Sequence, residues 1–194
     1  ILEDLTYTAV SKGVAGNSTS ITYVDPNTPS ATISVGVIGQ AITVNLATDA
    51  GTAASGIATI TSYADLLVTT PDTIEVAGVV FTAQAGVATL GDATFQAATD
   101  NDTTAESLRV QVNAHATSGP LVTGVRVGAA VTFTADATGV AGNAFTLVYD
   151  DNGAEIGATV SGAGTFAGGV DNVHISTAAQ IRTAVLAAAP AAAP

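Results

Sequence analysis

The stretch Gly139-Val140-Ala141-Gly142-Asn143 is the main evidence for the fold of this chain, because the same five residues occur earlier as Gly13-Val14-Ala15-Gly16-Asn17. The repetition extends beyond these loops, since residues 5–25 align with residues 131–151 without a gap. Internal repetition of this kind indicates that each copy forms one supersecondary unit. The fold is therefore worked out from this unit.

The residues before each glycine loop have the pattern of a half-buried strand. Threonine alternates with larger apolar residues in Val131-Thr132-Phe133-Thr134, as it does in the first copy, and a period of two is typical of a strand with one buried face. A second alternating segment follows each loop and ends at Tyr23 or Tyr149. Each copy is therefore predicted to be a strand, a tight connection and a second strand.

The loop residues predict a particular backbone conformation. Glycine adopts positive φ without steric cost, and asparagine tolerates it better than most residues. We therefore expect positive φ at Gly16 and Gly142, or at Asn17 and Asn143. A phosphate-binding loop would end in Gly-Lys-Ser/Thr, and neither copy supplies that lysine. The prediction is a structural turn or bulge rather than an anion site.

The composition limits the classes of function. At 194 residues the chain can form one large or two small domains, and its 47% hydrophobic but only 5% aromatic content predicts a core of small side chains. The absence of cysteine excludes disulfides and thiolate chemistry. The net charge of −12, with only four lysines and arginines, argues against nucleic-acid binding, which depends on those residues.

Charged residues account for only 10% of the chain, against about 25% in a typical soluble domain. Because a monomer normally covers its surface with charged side chains, the shortage indicates either that partner molecules cover much of this surface or that the chain occurs where uncharged polar faces are tolerated. No apolar run is long enough to span a bilayer, so no membrane contact is predicted. Ile1 in place of a starting Met leads us to expect a processed or partial chain, and residues 1–4 have no signal-peptide pattern.

The N-terminal third is predicted to be rich in β-structure. Alternating residues predict a hairpin of residues 31–35 and 41–46 about a Gly39-Gln40 turn. Small residues at 48–57 predict a loop, and residues 62–67 predict a short helix.

Two longer helices are predicted from capping patterns. Thr103 and Glu106 have the spacing of a capping box, and Thr177 and Gln180 have it before a helix predicted from Ile181 to Ala189, with Pro190 as its stop. One face of the first helix carries apolar residues at helical spacing; these are Ala105, Leu108, Val112 and Ala116.

The predicted fold class is α+β and dominated by β-structure, with antiparallel sheets in sandwich-like modules and one or two short helices packed on them. Residues 73–172 are predicted to be a complete β-β-α-β-β-β module, with a hairpin around Gly78 and strands at 122–127 and 131–135. Residues 1–72 are predicted to be a partial copy of this module. Residues 173–194 are predicted to be a C-terminal helix and an Ala/Pro tail.

The central module resembles modules of tailed-bacteriophage structural proteins, and is similar to the small domain of contractile-tail sheath proteins. The resemblance rests on the Val/Phe-Thr hairpin, the Thr-x-Ala-Glu-Ser-Leu helix that ends near Asn113-Ala114-His115, and Val131-Thr132-Phe133-Thr134-Ala135 before the second glycine loop. The resemblance covers about residues 73–150, and part of the same pattern recurs in residues 5–25. The resemblance implies a non-enzymatic virion protein without cofactors, whose partners are its own copies and other virion proteins.

Residues suited to catalysis are few and scattered. His115 and His174 lie far apart in the sequence and share no motif, and the chain has neither a Gly-x-Ser-x-Gly nor a Ser-x-x-Lys pattern. His115 falls at the end of the predicted helix, where a positive charge is favoured. We therefore expect structural roles for both histidines and no enzymatic activity.

Acidic residues supply the metal-site candidates. Asp100-Asn101-Asp102 begins like a calcium loop, but Ala105 and Gln111 occupy the positions where that loop needs Gly and Glu. Asp150-Asp151-Asn152-Gly153 predicts a hairpin turn. Its two aspartates, Asp150 and Asp151, could form a surface Ca²⁺ contact, together with Asp25.

Two hypotheses about function remain open at this point. The first is a self-assembling or decorating structural protein on the capsid or tail surface of a virion. The second is a secreted or cell-surface module of the adhesin type that binds a glycan or a host receptor. The first predicts ordered oligomers or particle binding, and the second predicts a monomer.

Overall fold

A computed structural model describes residues 5–8, 18–97, 99–153 and 155–188. These residues form an α+β fold dominated by β-structure, as predicted. The elements are β1 Ser20–Val24, β2 Ser34–Ile38, β3 Ala41–Asn45, β4 Ala53–Ile60, β5 Thr73–Val76, β6 Val79–Gln84, β7 Thr94–Gln96, α1 Asn101–Ala114, β8 Val122–Val127, β9 Ala130–Thr138, β10 Leu147–Asp150, β11 Ala158–Val160 and α2 Ala178–Ala188.

The chain divides into two compact units, a smaller one of Ile1–Gly51 with Asn172–Pro194 and a larger one of Thr52–Asp171. In the smaller unit, three strands form a sheet in the order β1-β3-β2. The hairpin of β2 and β3 turns at Gly39, where φ is 60°, and β1 pairs with β3 in parallel. Val44, Ile181 and Val185 form the buried centre of this unit, so α2 supplies two of these three residues.

The larger unit contains two four-stranded sheets, β10-β5-β6-β7 and β11-β4-β9-β8, in a sandwich-like arrangement. Alternation along β9 explains its burial, because Val131, Phe133 and Ala135 are buried while the threonines between them are half-buried. Both sheets and α1 contribute to one hydrophobic cluster. Its fully buried phenylalanines are Phe81, Phe95, Phe133 and Phe166.

The second glycine loop carries the chain from one sheet to the other. β9 lies in the sheet with β4, whereas β10 pairs antiparallel with β5 in the opposite sheet. The corresponding strand of the first copy, β1, pairs in parallel with β3 instead. The sequence repeat therefore preserves the strand after the loop but not its pairing. The strand predicted before the first loop is wrong for residues 5–8, which are not part of any strand.

The predicted loop at 48–57 is wrong from residue 53 onwards, because Ala53–Ile60 form β4 between β11 and β9. Its inward residues are small, and a Cβ added to Gly56 would meet Leu147 Cδ2 at 2.6 Å and Phe166 Cδ1 at 3.2 Å. The strand needs glycine there because the opposite sheet lies so close. The small residues that suggested a loop are therefore the residues that close packing requires.

The predicted boundaries at 72/73 and 172/173 differ from the observed division of the chain. The units divide at 51/52 and 171/172, because β4 pairs with β9 and β11 and so belongs to the larger unit. The C-terminal segment is part of the smaller unit, since Ala47 N donates to Ser176 Oγ at 2.7 Å and Ile175 N donates to the Ala47 carbonyl at 3.0 Å.

The helix α1 begins at a different cap from the one predicted. Asp100 caps α1 by accepting from Thr103 N at 2.7 Å, so the Thr103–Glu106 capping box is wrong. Ala116 lies beyond the helix and is exposed, although the other three residues of the predicted apolar face are buried. The segment at 62–67 forms only a 3-10 turn at Asp65–Leu67.

The capping box of α2 is confirmed. Gln180 N donates to Thr177 Oγ1 at 3.2 Å, and Thr177 N donates to Gln180 Oε1 at 2.8 Å. Residues 189 and 190, where the predicted helix was to end, lie outside the described residues. No helix in the described ranges has the length and apolar character needed to cross a bilayer.

Candidate functional site

The second glycine loop is held by backbone and carboxylate contacts. Val140–Ala144 form a 3-10 turn, preceded by Gly139 at a φ of 112°. Gly139 N donates to the Thr52 carbonyl at 3.0 Å, and Asp171 Oδ1 accepts from Val140 N at 2.8 Å. The carboxylate of Asp171 therefore accepts from a backbone N–H that would bind the ligand in an anion-binding loop.

The positive φ falls at Gly139 rather than at Gly142 or Asn143, so that prediction is wrong for the second copy. Gly142 is required for a different reason, since its added Cβ would lie 3.0 Å from the Cβ atoms of both Ala54 and Ala135. Asn143 Nδ2 donates to the Gly169 carbonyl at 3.0 Å and its Oδ1 accepts from Gly169 N at 2.8 Å. The loop is thus a structural connection between the sheets. In the first copy, Gly13, Gly16 and Asn17 lie outside the described residues.

The three aspartates proposed for a Ca²⁺ contact lie in different units, and Asp25 and Asp151 have partners of their own. Asp25, in the smaller unit, accepts from Asn27 N at 2.8 Å and lies 3.1 Å from His174 Nε2. The Asn27 amide, followed by His174, lowers the pKa of Asp25. In the larger unit, Asp151 Oδ1 accepts from Gly153 N at 3.0 Å, and Asp150 is exposed at the end of β10.

The turn after Asp150 does not form a hairpin, because β10 pairs with β5 and β11 pairs with β4 in the opposite sheet. It is an Asx turn centred on Asp151. Across the described ranges, no group of three or more His, Asp or Glu side chains is placed to hold a metal ion.

Both histidines make structural contacts. His115 is the C-terminal cap of α1, as its position in the sequence suggested, and its ring meets Phe81 edge-on at 5.6 Å. Its Nδ1 accepts from Thr117 N at 3.2 Å. His174 contacts Asp25, as described above. These contacts are consistent with the structural roles expected for the two residues.

A polar cluster that no sequence pattern indicated surrounds Asp72, which is fully buried. Tyr149 Oη donates to Asp72 Oδ2, and Asn152 N donates to Asp72 Oδ1 at 3.1 Å. Gly157 N donates to Tyr149 Oη at 2.9 Å. Burial, with the neighbouring carboxylate adding to it, raises the pKa of Tyr149 to about 12. The cluster anchors the segment after β10.

Two of the four basic residues of the chain meet at one carboxylate on α1. Glu106 Oε1 lies 2.5 Å from Arg109 Nη2, and its Oε2 accepts from Arg126 Nε on β8 at 3.1 Å. These arginines, chiefly Arg109, lower the pKa of Glu106. Asp102 Oδ2 also lies 3.6 Å from Arg126 Nη1, so two carboxylates offset the two arginines between α1 and β8 and leave little positive charge for an anionic ligand.

The outward surface of the sheet β11-β4-β9-β8 carries a block of uncharged residues, which we call the neutral face. Strand register places its members side by side on β4, β9 and β8. They are Ser55, Ile57, Thr59, Thr123, Val125, Val127, Ala130, Thr132 and Thr134. Val125 and Val127 are 60% and 80% exposed, so the face is open to solvent at β8.

The outward surface of the other sheet, which we call the acidic face, carries two carboxylates. It consists of Thr73, Glu75, Val80, Thr82, Val148 and Asp150, with Glu75 paired between Val80 and Val148. Glu75 Oε1 accepts from Thr146 Oγ1 at 2.7 Å. Both sheets thus have apolar side chains on their outer surfaces, but of the two faces only the neutral face has no charged residue.

No family model matches this chain, and no curated protein or solved structure matches it either. The resemblance to virion modules therefore stays a prediction.

Proposed function

We propose that this chain is a non-enzymatic structural protein of a tailed-phage virion, which self-assembles or decorates the capsid or tail surface. The observation that carries the proposal is the neutral face, a solvent-open block of threonine, valine and isoleucine on a chain of which only 10% is charged. Soluble monomers rarely leave contiguous uncharged, partly apolar surface uncovered. A subunit whose surface is covered by its neighbours does not need charged side chains on that surface to stay soluble.

The charge balance supports assembly under particular conditions. Each copy carries a net charge of −12, so copies repel one another over a distance of about 10 Å at 0.1 M salt. Assembly should therefore weaken at low ionic strength and strengthen as NaCl or Mg²⁺ screens the carboxylates. A protein held together by salt bridges would respond in the opposite direction.

The test is sedimentation velocity of the purified chain, alone and with virions of its source, over a series of NaCl and MgCl₂ concentrations. We expect oligomers or particle-bound protein whose fraction rises with salt. A chain that stays monomeric at every salt concentration, binds no particle, and captures a glycan or a host receptor would contradict the proposal and favour the adhesin hypothesis.

A further inference from the structure

We propose that the pair Asn152-Gly153, in the turn after β10, is a site of spontaneous chemical modification. The backbone nitrogen of Gly153 attacks the side-chain amide of Asn152, ammonia leaves, and water converts the resulting ring to aspartate or isoaspartate at position 152. The chain supplies every reacting group except the water. The modification does not depend on the proposed function, because it follows from the chemistry of one turn.

The sequence contains this pair once. An asparagine amide is open to attack by the backbone nitrogen of the next residue, and a side chain on that residue hinders the attack. Glycine has no Cβ, so it hinders the attack least. Asn152 is the only asparagine of the chain that glycine follows. The sequence thus singles out one asparagine for this reaction.

The side chain of Asn152 is exposed and weakly held. Its Nδ2 donates to the Pro71 carbonyl at 3.3 Å, which is beyond the usual limit of about 3.2 Å for such a bond. Three other asparagines use both side-chain atoms in shorter bonds to the backbone; these are Asn101, Asn113 and Asn143. Of these four amides, that of Asn152 is therefore the most free to turn towards the next nitrogen.

A carboxylate contacts the attacking nitrogen. Asp151 Oδ1 accepts from Gly153 N at 3.0 Å, in the Asx turn described above. The nitrogen must lose its proton as it attacks, and a carboxylate within hydrogen-bonding distance can receive that proton as a general base. The turn therefore holds a base directly on the nucleophile.

The reaction balances without an oxidant or a reductant. The bond from Gly153 N to Asn152 Cγ forms, and the bond from Cγ to Nδ2 breaks. Asp151 receives the proton of Gly153 N and returns it to the leaving nitrogen, which departs as ammonia. Water then adds to either carbonyl of the five-membered imide, so the peptide link to Gly153 runs through the main-chain carbonyl in aspartate or through Cγ in isoaspartate.

Packing explains why glycine follows this asparagine. A Cβ added to Gly153 would lie 2.6 Å from the Val68 carbonyl oxygen, which is a backbone atom. A larger residue at 153 would therefore force the backbone of one of the two segments to move. The fold thus requires glycine at this position for a reason that is independent of the reaction, and it retains the susceptible pair as a consequence.

The modification should reach the buried polar cluster. Asn152 N donates to Asp72 Oδ1 at 3.1 Å, so the new carboxylate forms close to a buried carboxylate, and like charges repel. Isoaspartate also lengthens the main chain by one carbon atom between this bond and the close contact of Gly153 with Val68. Since both contacts fix the backbone, we expect the isoaspartate form to lose the bond to Asp72.

The first test follows the full chain at neutral pH over several weeks, folded and in urea. Peptide mass mapping should find the replacement of NH by O at Asn152, with ammonia released, and labelling by an isoaspartate-specific methyltransferase should mark the same peptide. Because Asp151 is held on Gly153 N in the folded chain, we expect the folded rate to equal or exceed the rate in urea. The internal controls, which should remain unmodified in the folded chain, are Asn101, Asn113 and Asn143. A folded chain that retains Asn152 while the chain in urea loses it would overturn the proposal.

The second test concerns the base. Asp151→Asn keeps the size of the side chain and an oxygen that can accept from Gly153 N, but it removes the negative charge. We expect the folded rate to fall at least about tenfold, and to become first order in hydroxide with a change of about tenfold per pH unit, whereas the parent rate should depend less on pH. Asp150→Asn makes the same charge change one residue earlier and should alter the rate by less than about twofold. Equal effects of the two variants would overturn the role of Asp151.

The third test separates the new charge from the longer backbone. The isoaspartate form, purified after incubation, is compared with Asn152→Asp, which carries the same charge through a normal peptide link. We expect the isoaspartate form to unfold at a lower urea concentration than this variant and than the parent. Equal unfolding of the isoaspartate form and Asn152→Asp would overturn the disruption of the contact with Asp72.

Discussion

The sheet of β11, β4, β9 and β8 turns Gly56 and Gly124 towards the core beside Phe133, whereas the sheet of β10, β5, β6 and β7 turns Phe81 and Phe95 inward. The outer surfaces differ as well, because the first sheet carries the neutral face and the second carries Glu75 and Asp150. The first sheet therefore combines close packing at glycine on its inner side with an uncharged outer side, whereas the second sheet carries charge on its outer side.

The largest effect is expected where the two sheets approach most closely. Gly56→Val places a branched side chain against Leu147 and Phe166 in a filled core, which should lower the free energy of unfolding by about 3 kcal/mol. Urea unfolding of the full chain, followed by circular dichroism, measures it. Gly36→Val in β2 is the control, because no atom lies within 4 Å of its added Cβ. Equal stability of the two variants would show that the sheets are not closely packed at β4.

The crossing loop between the sheets should be the next most sensitive position. Gly142→Val forces apart Ala54 and Ala135, which belong to β4 and β9, and we expect a loss of about 2 kcal/mol in the free energy of unfolding. Gly86→Val, in a loop with open space around its Cβ, should change it by less than about 0.5 kcal/mol. A Gly142→Val protein that unfolds at the parent urea concentration would contradict the role assigned to this glycine.

The next largest effect is expected at the polar cluster around Asp72, which lies beside the sheet that carries the acidic face. Tyr149→Phe removes the hydrogen bond to the buried Asp72 carboxylate and should cost about 1.5 kcal/mol in the free energy of unfolding at pH 7. The pKa of Tyr149 is raised to about 12 in the folded chain, so this contribution is complete below the unfolded value of about 10. It is lost as pH rises through about 12.

The difference in stability between parent and Tyr149→Phe should accordingly shrink between pH 10 and pH 12. Tyr7 titrates over the same interval, since burial raises its pKa to about 12. Tyr7→Phe is therefore the matched control, and it should leave the difference caused by Tyr149→Phe unchanged. A difference that stays constant with pH would mean that the hydroxyl does not donate to Asp72.

The smallest effect is expected at the charge cluster beside β8. Glu106→Gln removes partly exposed ion pairs and should cost less than about 1 kcal/mol. Because the arginines lower the pKa of Glu106, its contribution is present above the unfolded value of about 4.3 and disappears as pH falls through the lower folded value. Thermal unfolding of Glu106→Gln and of the exposed control Glu155→Gln, from pH 7 to pH 3, measures this. An undiminished cost at pH 3 would contradict the ionic explanation.

Local patterns in the sequence predicted the elements whose structure is decided locally. The hairpin of β5 and β6 follows from alternation around Ala77 and Gly78, which have φ values of 48° and 81°. The capping box at Thr177 is contained within four residues. In contrast, β4 is a strand because β9 and β11 pair with it from far along the chain, and its own residues resemble a loop.

The functional surfaces were less predictable for the same reason. Asp72 and Tyr149 are 77 residues apart, and nothing near either residue indicates the other. The neutral face requires the registers of three strands, of which only β8 and β9 were predicted. The low charge of the chain predicted a surface for partners, and the pairing of β4 identifies the residues that we propose for it.

The division of the smaller unit between both parts of the chain sets an order of folding during synthesis. A ribosome synthesises Thr52–Asp171 before Ile181 and Val185, on which the core of the smaller unit depends. The N-terminal strands therefore lack their helical partner until the sequence of the larger unit is complete, although domains usually fold from the N-terminus onwards.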